Sequence, residues 1–215
     1  MRRAAILGAA LLLVGCGSEV EEEPLADPLF EGHWPGHVAV NEQFRIQASF
    51  PEDEPVCVSQ SGRQVQGFYQ WRGGDCADPE QQTGRFISVY ASYNNALNTW
   101  DEAAATYCST DTEPFDLGME ANGSGRFSAC VPRLCGEQYV ITAVYLSDSP
   151  QLVLGDETVG GGPDLIYMIA LGTTDETQEA DLAEFRTFLS QLRLDGGGFE
   201  LREGQSPGGS SMRSP

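Results

Sequence analysis

Lysine is absent from this chain: all twelve basic residues are arginines, and they stand against 32 acidic residues. The formal net charge is −20 over 215 residues. A surface this acidic repels the phosphate backbone of nucleic acids, so we expect no nucleic acid partner. The same charge opposes adsorption of the folded part to anionic lipid headgroups.

Histidine is nearly absent too, which limits the catalytic and metal chemistry that the chain can support. The two histidines, His33 and His37, flank Trp34-Pro35-Gly36. Proline and glycine disfavour the helix that would bring both imidazoles onto one metal ion. The segment instead predicts a turn that packs Trp34 onto the edge of the domain.

Several catalytic and cofactor motifs are missing as well. There is no C-x-x-C pair for a zinc ribbon or a thioredoxin-like site, and no G-x-S-x-G nucleophile elbow within the predicted domain over residues 37–195. Ser124 lies in Asn122-Gly123-Ser124-Gly125, where a turn accounts for it. We therefore predict no catalytic residue, no metal ligand and no cofactor, and the sequence favours a protein without enzymatic activity.

Residues 1–16 have the order of a secretory signal peptide. Two arginines precede an apolar run over residues 4–14, which is too short for a bilayer span of about 20 residues. The run ends in Leu13-Val14-Gly15-Cys16, which resembles the lipobox of bacterial lipoproteins. That resemblance implies cleavage before Cys16 and attachment of a diacylglyceryl group to its thiol. Gly17, rather than an aspartate, follows Cys16. The resemblance therefore also implies that the lipid anchors the protein in the outer membrane.

Composition divides the chain into four parts. We predict a signal peptide over residues 1–15, a lipidated cysteine with an acidic tether over residues 16–36, a β-rich domain over residues 37–195 and a disordered tail over residues 196–215. Without the two arginines of the signal peptide, ten basic residues remain against 32 acidic ones, so the mature chain carries −22. The lipid on Cys16 must then hold the protein at the membrane.

Five further cysteines suggest disulfide bonds, since exported proteins reach an oxidising compartment. They are Cys57, Cys76, Cys108, Cys130 and Cys135. An odd number leaves at least one of them outside the intramolecular pairs. We predict a Cys57–Cys76 bond and a bond from Cys108 to either Cys130 or Cys135, because each joins neighbouring segments across turns.

Between the tether and the tail the pattern is mainly that of strands. Apolar and polar residues alternate over residues 44–50, which predicts a half-buried strand. The dipeptide Asn122-Gly123 predicts a tight hairpin turn between two strands. Aromatic and β-branched residues predict the remaining strands, over residues 65–71, 86–93, 115–121, 125–131, 139–146 and 164–171.

Two segments have helical spacing instead. Residues 95–107 predict a short helix, and residues 174–194 predict a longer amphipathic one. In the second segment acids crowd the start, arginines lie in the second half and Gly196 follows the end, which agrees with the helix dipole and the usual stop signals. We therefore predict a mainly β, sandwich-like domain with a C-terminal amphipathic helix packed on one face.

One stretch in the middle of the chain has a family resemblance. Gly125-Arg126-Phe127, Val131-Pro132 and residues 136–143 look like the pattern of carboxypeptidase-regulatory, transthyretin-like or immunoglobulin-like β-sandwiches. The resemblance implies that Phe127 and Tyr139 fill the core between two sheets. It implies no catalytic residues.

These observations predict a lipid-anchored, non-enzymatic binding or structural module of the bacterial cell envelope. Its partner would be an envelope protein or a glycan. A flat exposed strip of Tyr69, Trp71 and Tyr90 would favour a binding protein, whereas carboxylates with perturbed pKa values in a concave pocket would favour an enzyme.

Two alternatives to this function remain open. The first is a calcium- or carbohydrate-dependent binding protein, with calcium ligands from acidic loops at residues 52–54 and 156–157 together with Asp164. Solvated surface is the simpler explanation of such loops in a chain this acidic. The second alternative is an envelope hydrolase that uses paired carboxylates.

Overall fold

Two antiparallel β-sheets face each other in the computed structural model of the chain. The structure describes residues 32–61, 64–73, 76, 85–96, 98–108, 113–135, 138–147, 152–154, 157–159 and 163–202. In chain order the elements are β1 (Val38–Asn41), β2 (Ile46–Ser49), β3 (Cys57–Ser61), β4 (Gln64–Trp71), β5 (Phe86–Tyr93), α1 (Trp100–Tyr107), β6 (Glu113–Pro114), β7 (Met119–Gly123), β8 (Arg126–Cys135), β9 (Gln138–Leu146), β10 (Leu152–Leu154), β11 (Glu157–Val159), β12 (Leu165–Thr174), α2 (Gln178–Gln191), β13 (Arg193–Leu194) and β14 (Gly197–Leu201).

The sheets differ in size and enclose one core. The larger sheet has the strand order β3-β4-β5-β12-β9-β8-β6, and the smaller has the order β1-β2-β13-β14-β7. β10 and β11 form a separate two-stranded ribbon. Buried apolar side chains from both sheets pack together, among them Phe68, Val89, Tyr145, Ile169, Ile46 and Phe199. The predicted mainly β, sandwich-like fold is confirmed.

Hydrophobic periodicity predicts the covered faces of the strands well. In β2, Ile46 and Ala48 are buried while Gln47 is exposed, because successive side chains point to opposite faces of a sheet. In β9, Tyr145 faces the core between the sheets, and Val144 packs on the outer face beneath Ala103 of α1. The apolar run of β9 thus belongs to a central strand covered on both sides, as its sequence predicts.

α1 begins at Trp100, later than its spacing predicts. Thr99 caps the helix: its hydroxyl accepts a hydrogen bond from the Glu102 backbone N–H, and the Glu102 carboxylate accepts one from the Thr99 N–H. The hydrogen bonds from Thr99 lower the pKa of the Glu102 carboxyl. Upstream, the Asn94 side chain bonds both the N–H and the carbonyl of Asn98. These bonds form a turn and therefore compete with an earlier helix start.

α2 confirms the longer predicted helix, with shorter ends. Its apolar stripe includes Leu182, Phe185, Phe188 and Leu189, all of them buried in the main core. The helix contacts β2 and β14 of the smaller sheet and β12 of the larger one. Its stripe therefore contributes to the core between the sheets, in contact with both.

The hairpin predicted at Asn122-Gly123 does not form. β7, which contains both residues, pairs with β14 in the smaller sheet, whereas β8 pairs with β9 and β6 in the larger one. The chain therefore crosses between sheets at Ser124. Gly123 does have the expected positive φ, +111°, but there it lets the end of β7 lie against the backbone of Gly196.

The folded domain also extends past residue 195, where the sequence predicts the start of a tail. β14 covers Gly197–Leu201, and Phe199 lies in the core beside the rings of Phe127 and Tyr145. The glycines at its start hide the strand pattern. They are needed for close packing, since a Cβ on Gly198 would lie 2.5 Å from the Leu192 carbonyl oxygen.

Two disulfide bonds are present among the described residues. Cys57 is bonded to Cys76 with Cα atoms 5.4 Å apart, and Cys108 to Cys130 with Cα atoms 5.7 Å apart. Cys108 follows α1 and places its sulfur 3.8 Å from the Thr142 carbonyl oxygen. Cys130 is the cross-strand neighbour of Thr142, which explains why Cys108 bonds this cysteine. The side chain of Cys135 lies outside the described residues.

We expect the Cys108→Ser/Cys130→Ser double variant to lose about 2–4 kcal/mol of unfolding free energy, because the unfolded chain is no longer constrained. Denaturant unfolding measured by circular dichroism tests this. The matched control is the unaltered protein under reducing conditions, which should show at least the same loss. An unchanged midpoint in the double variant would contradict the prediction.

Candidate functional site

A surface groove lies where the edge strand β1 of the smaller sheet faces β4 of the larger sheet. Its volume is about 640 Å³. Side chains from the segment before β1, from β1 itself, from the β1–β2 turn and from the start of β4 line it; they are Trp34, Val40, Asn41, Glu42, Gln43, Gln64 and Val65. We call this surface the edge groove.

Trp34 closes one end of the edge groove. Its ring meets Phe68 edge-on at 5.0 Å between centroids, and its indole N–H donates to the Val38 carbonyl at 2.9 Å. The backbone beside it pairs with β3, through Trp34 N–H to the Val56 carbonyl and Val58 N–H to the Gly32 carbonyl. The structure thus has the expected turn with Trp34 packed on the domain edge. The folded part begins before residue 37, because this segment covers β3.

Asn41 ties the two sheets together across the groove. Its side-chain amide donates to the Val65 carbonyl of β4 at 2.8 Å, and its side-chain oxygen accepts from the Phe44 N–H at 3.1 Å. The second bond shapes the β1–β2 turn, in which Arg45 has a φ of +51°. Asp195 lies 2.5 Å from the Arg45 guanidinium and raises the pKa of that group, chiefly through their hydrogen bond. The turn is therefore held at both ends.

A buried tyrosine supports the same turn from below. The Tyr167 hydroxyl donates to the Phe44 carbonyl at 2.9 Å and accepts from the Asp195 N–H at 3.2 Å. Burial raises the pKa of this phenol well above its ordinary value of 10. The neutral hydroxyl is thus the form that the folded state stabilises.

Exposed apolar side chains cluster around the edge groove. Within the described ranges, the large hydrophobic residues on the surface are Val38, Val40 and Tyr93, exposed by 52%, 43% and 44%. Tyr93 belongs to the cluster because its hydroxyl accepts from Gln43 at 3.4 Å and its ring lies 5.0 Å from that of Phe44. Exposed apolar side chains beside a groove are typical of a binding site.

The charge around the groove is slightly negative. Glu42 is the one charged residue among those lining it. Arg45, in the β1–β2 turn, forms an ion pair with Asp195. The groove therefore favours apolar, polar or basic groups over acidic ones.

The two histidines do not form a site together. His33 places its Nδ1 atom 3.3 Å from the Cys76 sulfur, while the backbone carbonyl of His37 accepts from the Phe50 N–H. In the part of the chain that the structure describes, no group of three His, Cys, Asp or Glu side chains is placed to hold a metal ion.

The acidic loop between β2 and β3 has structural contacts. Glu54 accepts from the Gly73 N–H at 2.9 Å, and Gln70 donates to the carbonyls of Pro51 and Glu54. Asp53 lies 3.6 Å from the Arg85 guanidinium. These contacts fasten the loop to β4 and β5. Of the second predicted acidic group, Asp164 is exposed, and the side chains at 156 and 157 lie outside the described residues.

Arg85 is the residue that sequence reasoning missed. It is 3% exposed and contacts the carboxylates of Glu184 on α2 and Asp53. Nearby, the fully buried Asp181 accepts hydrogen bonds from the hydroxyls of Thr173 at 2.7 Å and Thr177 at 2.6 Å. We call this set the charged cluster. The chain separation of 99 residues between Arg85 and Glu184 leaves no local signal for it.

The charged cluster joins the start of α2 to the sheet. Arg72 completes it, with its guanidinium nitrogens 3.7 Å from Asp181 and 3.8 Å from Glu184. Each carboxylate is thus engaged by an arginine or a threonine. This is the arrangement of a structural ion-pair network.

Tyr69, Trp71 and Tyr90, which as a flat exposed strip would have favoured a binding protein, do not form such a strip. Trp71 is 6% exposed and packs against Tyr69 at 4.7 Å between ring centroids. Burial raises the pKa of Tyr69. Tyr90 is half-buried and donates to the side chain of Gln66. The rings contact each other and their neighbours, so they offer no planar stacking surface for a sugar.

A second groove of about 340 Å³ lies at the opposite edge of the sandwich. Its acidic residue, Asp116, is 3.3 Å from Arg202. Beneath it the buried Arg186 donates to the Leu117 carbonyl at 2.9 Å, and burial lowers the pKa of Arg186. The other lining residues are mostly apolar, and the full set is Pro114, Phe115, Asp116, Leu117, Met119, Phe127, Ser128, Ala129 and Arg202.

The predicted lipidation site, Cys16, lies outside the described residues. Among the helices of the described ranges, none combines the length and hydrophobicity needed to cross a membrane.

Comparisons with known proteins leave the family open. No protein-family model and no curated protein matches the chain. Among solved structures, it is similar to the crystal structure of LpqN involved in cell envelope biogenesis of Mycobacterium tuberculosis, with 13% sequence identity and a TM-score of 0.38, over 70% of this chain and 83% of that chain. At this level of similarity the match supports no conclusion about the fold or function of this chain.

Proposed function

We propose that this protein is a lipid-anchored, non-enzymatic binding module of the bacterial cell envelope, and that its partner is another protein. The lipid would be attached to Cys16 and would hold the domain at the outer membrane. The edge groove would be the binding surface.

The exposed apolar surface at the edge groove is the observation that carries this proposal. Val38 and Val40 lie on an edge strand and are about half exposed, although soluble proteins usually protect such strands with charge or proline. Burying the exposed half of one such side chain contributes about 1 kcal/mol. An apolar edge beside a groove is therefore expected to be covered by a partner.

Protein is favoured over glycan, calcium or a hydrolase substrate. A glycan would use stacking rings, yet Trp71 is almost fully buried, and the rings of Trp34 and Tyr93 at the edge groove are packed against Phe68 and Phe44. The acids of the loop at Asp53 and Glu54 are occupied by Arg85 and the Gly73 N–H. Each of the two grooves described above has one acidic side chain, Glu42 or Asp116, whereas a glycosidase needs a pair.

Replacing the lipidated cysteine tests the anchor. We expect Cys16→Ser to prevent incorporation of labelled fatty acid and to leave the signal peptide uncleaved, because the thiol that carries the lipid is gone. The unaltered chain should incorporate label and fractionate with outer membranes. Labelled lipid on the Cys16→Ser variant would contradict the proposal.

Site-specific photo-crosslinking tests the binding surface in the complete lipidated chain. We expect a photoreactive residue in place of Val40 to form a discrete adduct with one protein, identified by mass spectrometry. The matched control carries the same residue in place of Gln191, which is exposed on α2. Absence of any adduct at Val40, or the same adducts at both positions, would contradict a protein-binding role for the edge groove.

A further inference from the structure

The edge strand β1 has an uneven distribution of hydrogen-bond partners. The Phe50 N–H donates to the His37 carbonyl, and β1 pairs with β2 in the same register. Hydrogen-bonded pairs alternate along an antiparallel ladder, so the backbone groups of Ala39 and Asn41 face β2. Those of Val38 and Val40 point away from the sheet.

Of these outward groups, those of Val40 have no protein partner in the described part of the chain. The Val38 carbonyl accepts from the Trp34 indole. Val40 also lines the edge groove, and its side chain is about half exposed. Unpaired backbone groups beside exposed apolar side chains are the features by which an added strand is recognised.

The other sheet shows the contrast. Its edge strand β3 is already covered, since the segment Gly32–Trp34 pairs with Val56 and Val58. β6, at its other edge, has two residues and includes Pro114, which cannot donate a backbone hydrogen bond. Among the described residues, β1 is thus an edge on which the backbone groups of Val40 and the apolar side chains of Val38 and Val40 are available.

We propose that β1 binds an extended, basic peptide segment of the partner protein, which adds to the smaller sheet as a further strand. This deepens the proposed function and rests on it. The chain carries −20, the described residues that line the edge groove include Glu42 and no cation, and Arg45 is paired with Asp195. Basic side chains on the added strand complement this charge, while its alternate apolar side chains cover the two valines.

A peptide-binding measurement tests the inference. The protein is the chain from residue 16 onward with Cys16→Ser, and the probe is a fluorescent hexapeptide of alternating arginine and valine, followed by anisotropy. We expect Val40→Pro to weaken binding about tenfold, because proline removes the outward N–H and one hydrogen bond is lost. Val40→Thr keeps the N–H and the side-chain shape, and should change affinity less than about threefold.

The peptide itself supplies an independent test that does not depend on the fold of a variant. N-methylation of alternate backbone nitrogens should abolish binding, and glutamate in place of arginine should do the same. Equal affinities for Val40→Pro and Val40→Thr, both shown to be folded by circular dichroism, would overturn the inference. Unchanged binding of the N-methylated or the glutamate peptide would do so too.

Two further outcomes separate this inference from the proposed function. A dimer of the chain in sedimentation experiments, abolished by Val40→Pro, would make a second copy the occupant and overturn the inference. A protein adduct at Val40 in cells, together with peptides that fail the tests above, would leave the protein-binding function intact and remove only the added-strand mode. No adduct at Val40 would remove both.

Discussion

Arg85→Met is expected to lower the free energy of unfolding by about 3 kcal/mol, the lower end of the range for breaking a buried ion pair. Arg85 is 3% exposed and contacts both Glu184 and Asp53. Methionine fills a similar volume but leaves both carboxylates without this cation. The loss lies at the lower end because Glu184 and Asp53 are 29% and 55% exposed and keep access to water.

Arg202→Met is the matched control for this prediction. Arg202 pairs with Asp116 at 3.3 Å, but the two side chains are 49% and 62% exposed, so the pair should contribute less than about 1 kcal/mol. Urea unfolding followed by tryptophan fluorescence measures both variants. If Arg85→Met and Arg202→Met cost the same, Arg85 does not hold α2 and the acidic loop as we describe.

Gly123→Ala is expected to destabilise the fold by about 3 kcal/mol. A Cβ there would lie 2.1 Å from the Gly196 carbonyl oxygen, so the ends of β7 and β14 would have to separate, which costs about 1–3 kcal/mol. The φ of +111° adds about 1–2 kcal/mol for any residue with a Cβ.

Gly36→Ala separates these two costs. Gly36 also has a positive φ, +92°, but nothing lies within 4 Å of an added Cβ. The Gly36→Ala variant should therefore lose only the free energy of unfolding that comes from backbone strain, about 1–2 kcal/mol. Thermal unfolding of both variants decides the matter, and an equal effect would show that the close approach at Gly123 has no energetic importance.

Local sequence patterns predicted individual elements well where each depends on its own periodicity. The alternation around Ile46 and Ala48 predicted which face of β2 is buried, and the stripe of Leu182 and Phe185 predicted α2. The Cys57–Cys76 disulfide bond could also be predicted from the sequence, because the two cysteines are only 19 residues apart. These features depend on short stretches of chain, so one sequence contains their signal.

The predictions were wrong where the same local sequence pattern occurs in more than one tertiary arrangement. Asn122-Gly123 has the positive φ that a hairpin needs, yet the same conformation ends a strand before the chain crosses to the other sheet. The glycines before Phe199 look like a loop, yet they allow a strand to pack closely on its neighbours. A backbone angle specifies a local bend and not the strand that will lie beside it.

By itself, the sequence determined the mainly β class, the amphipathic helix near the C-terminus and the strong negative charge. Only the tertiary structure decided that β1 is an edge strand of the smaller sheet, that Trp71 is buried and that Arg85 meets Glu184. The physical reason is the separation along the chain of the residues involved. Periodicity within one short segment shows which face of an element avoids water. Strand order and ion pairing instead depend on contacts between distant residues, such as Phe44 and Tyr167, which are 123 positions apart. The candidate binding surface belongs to this second kind, because an edge exists only once the sheet has formed.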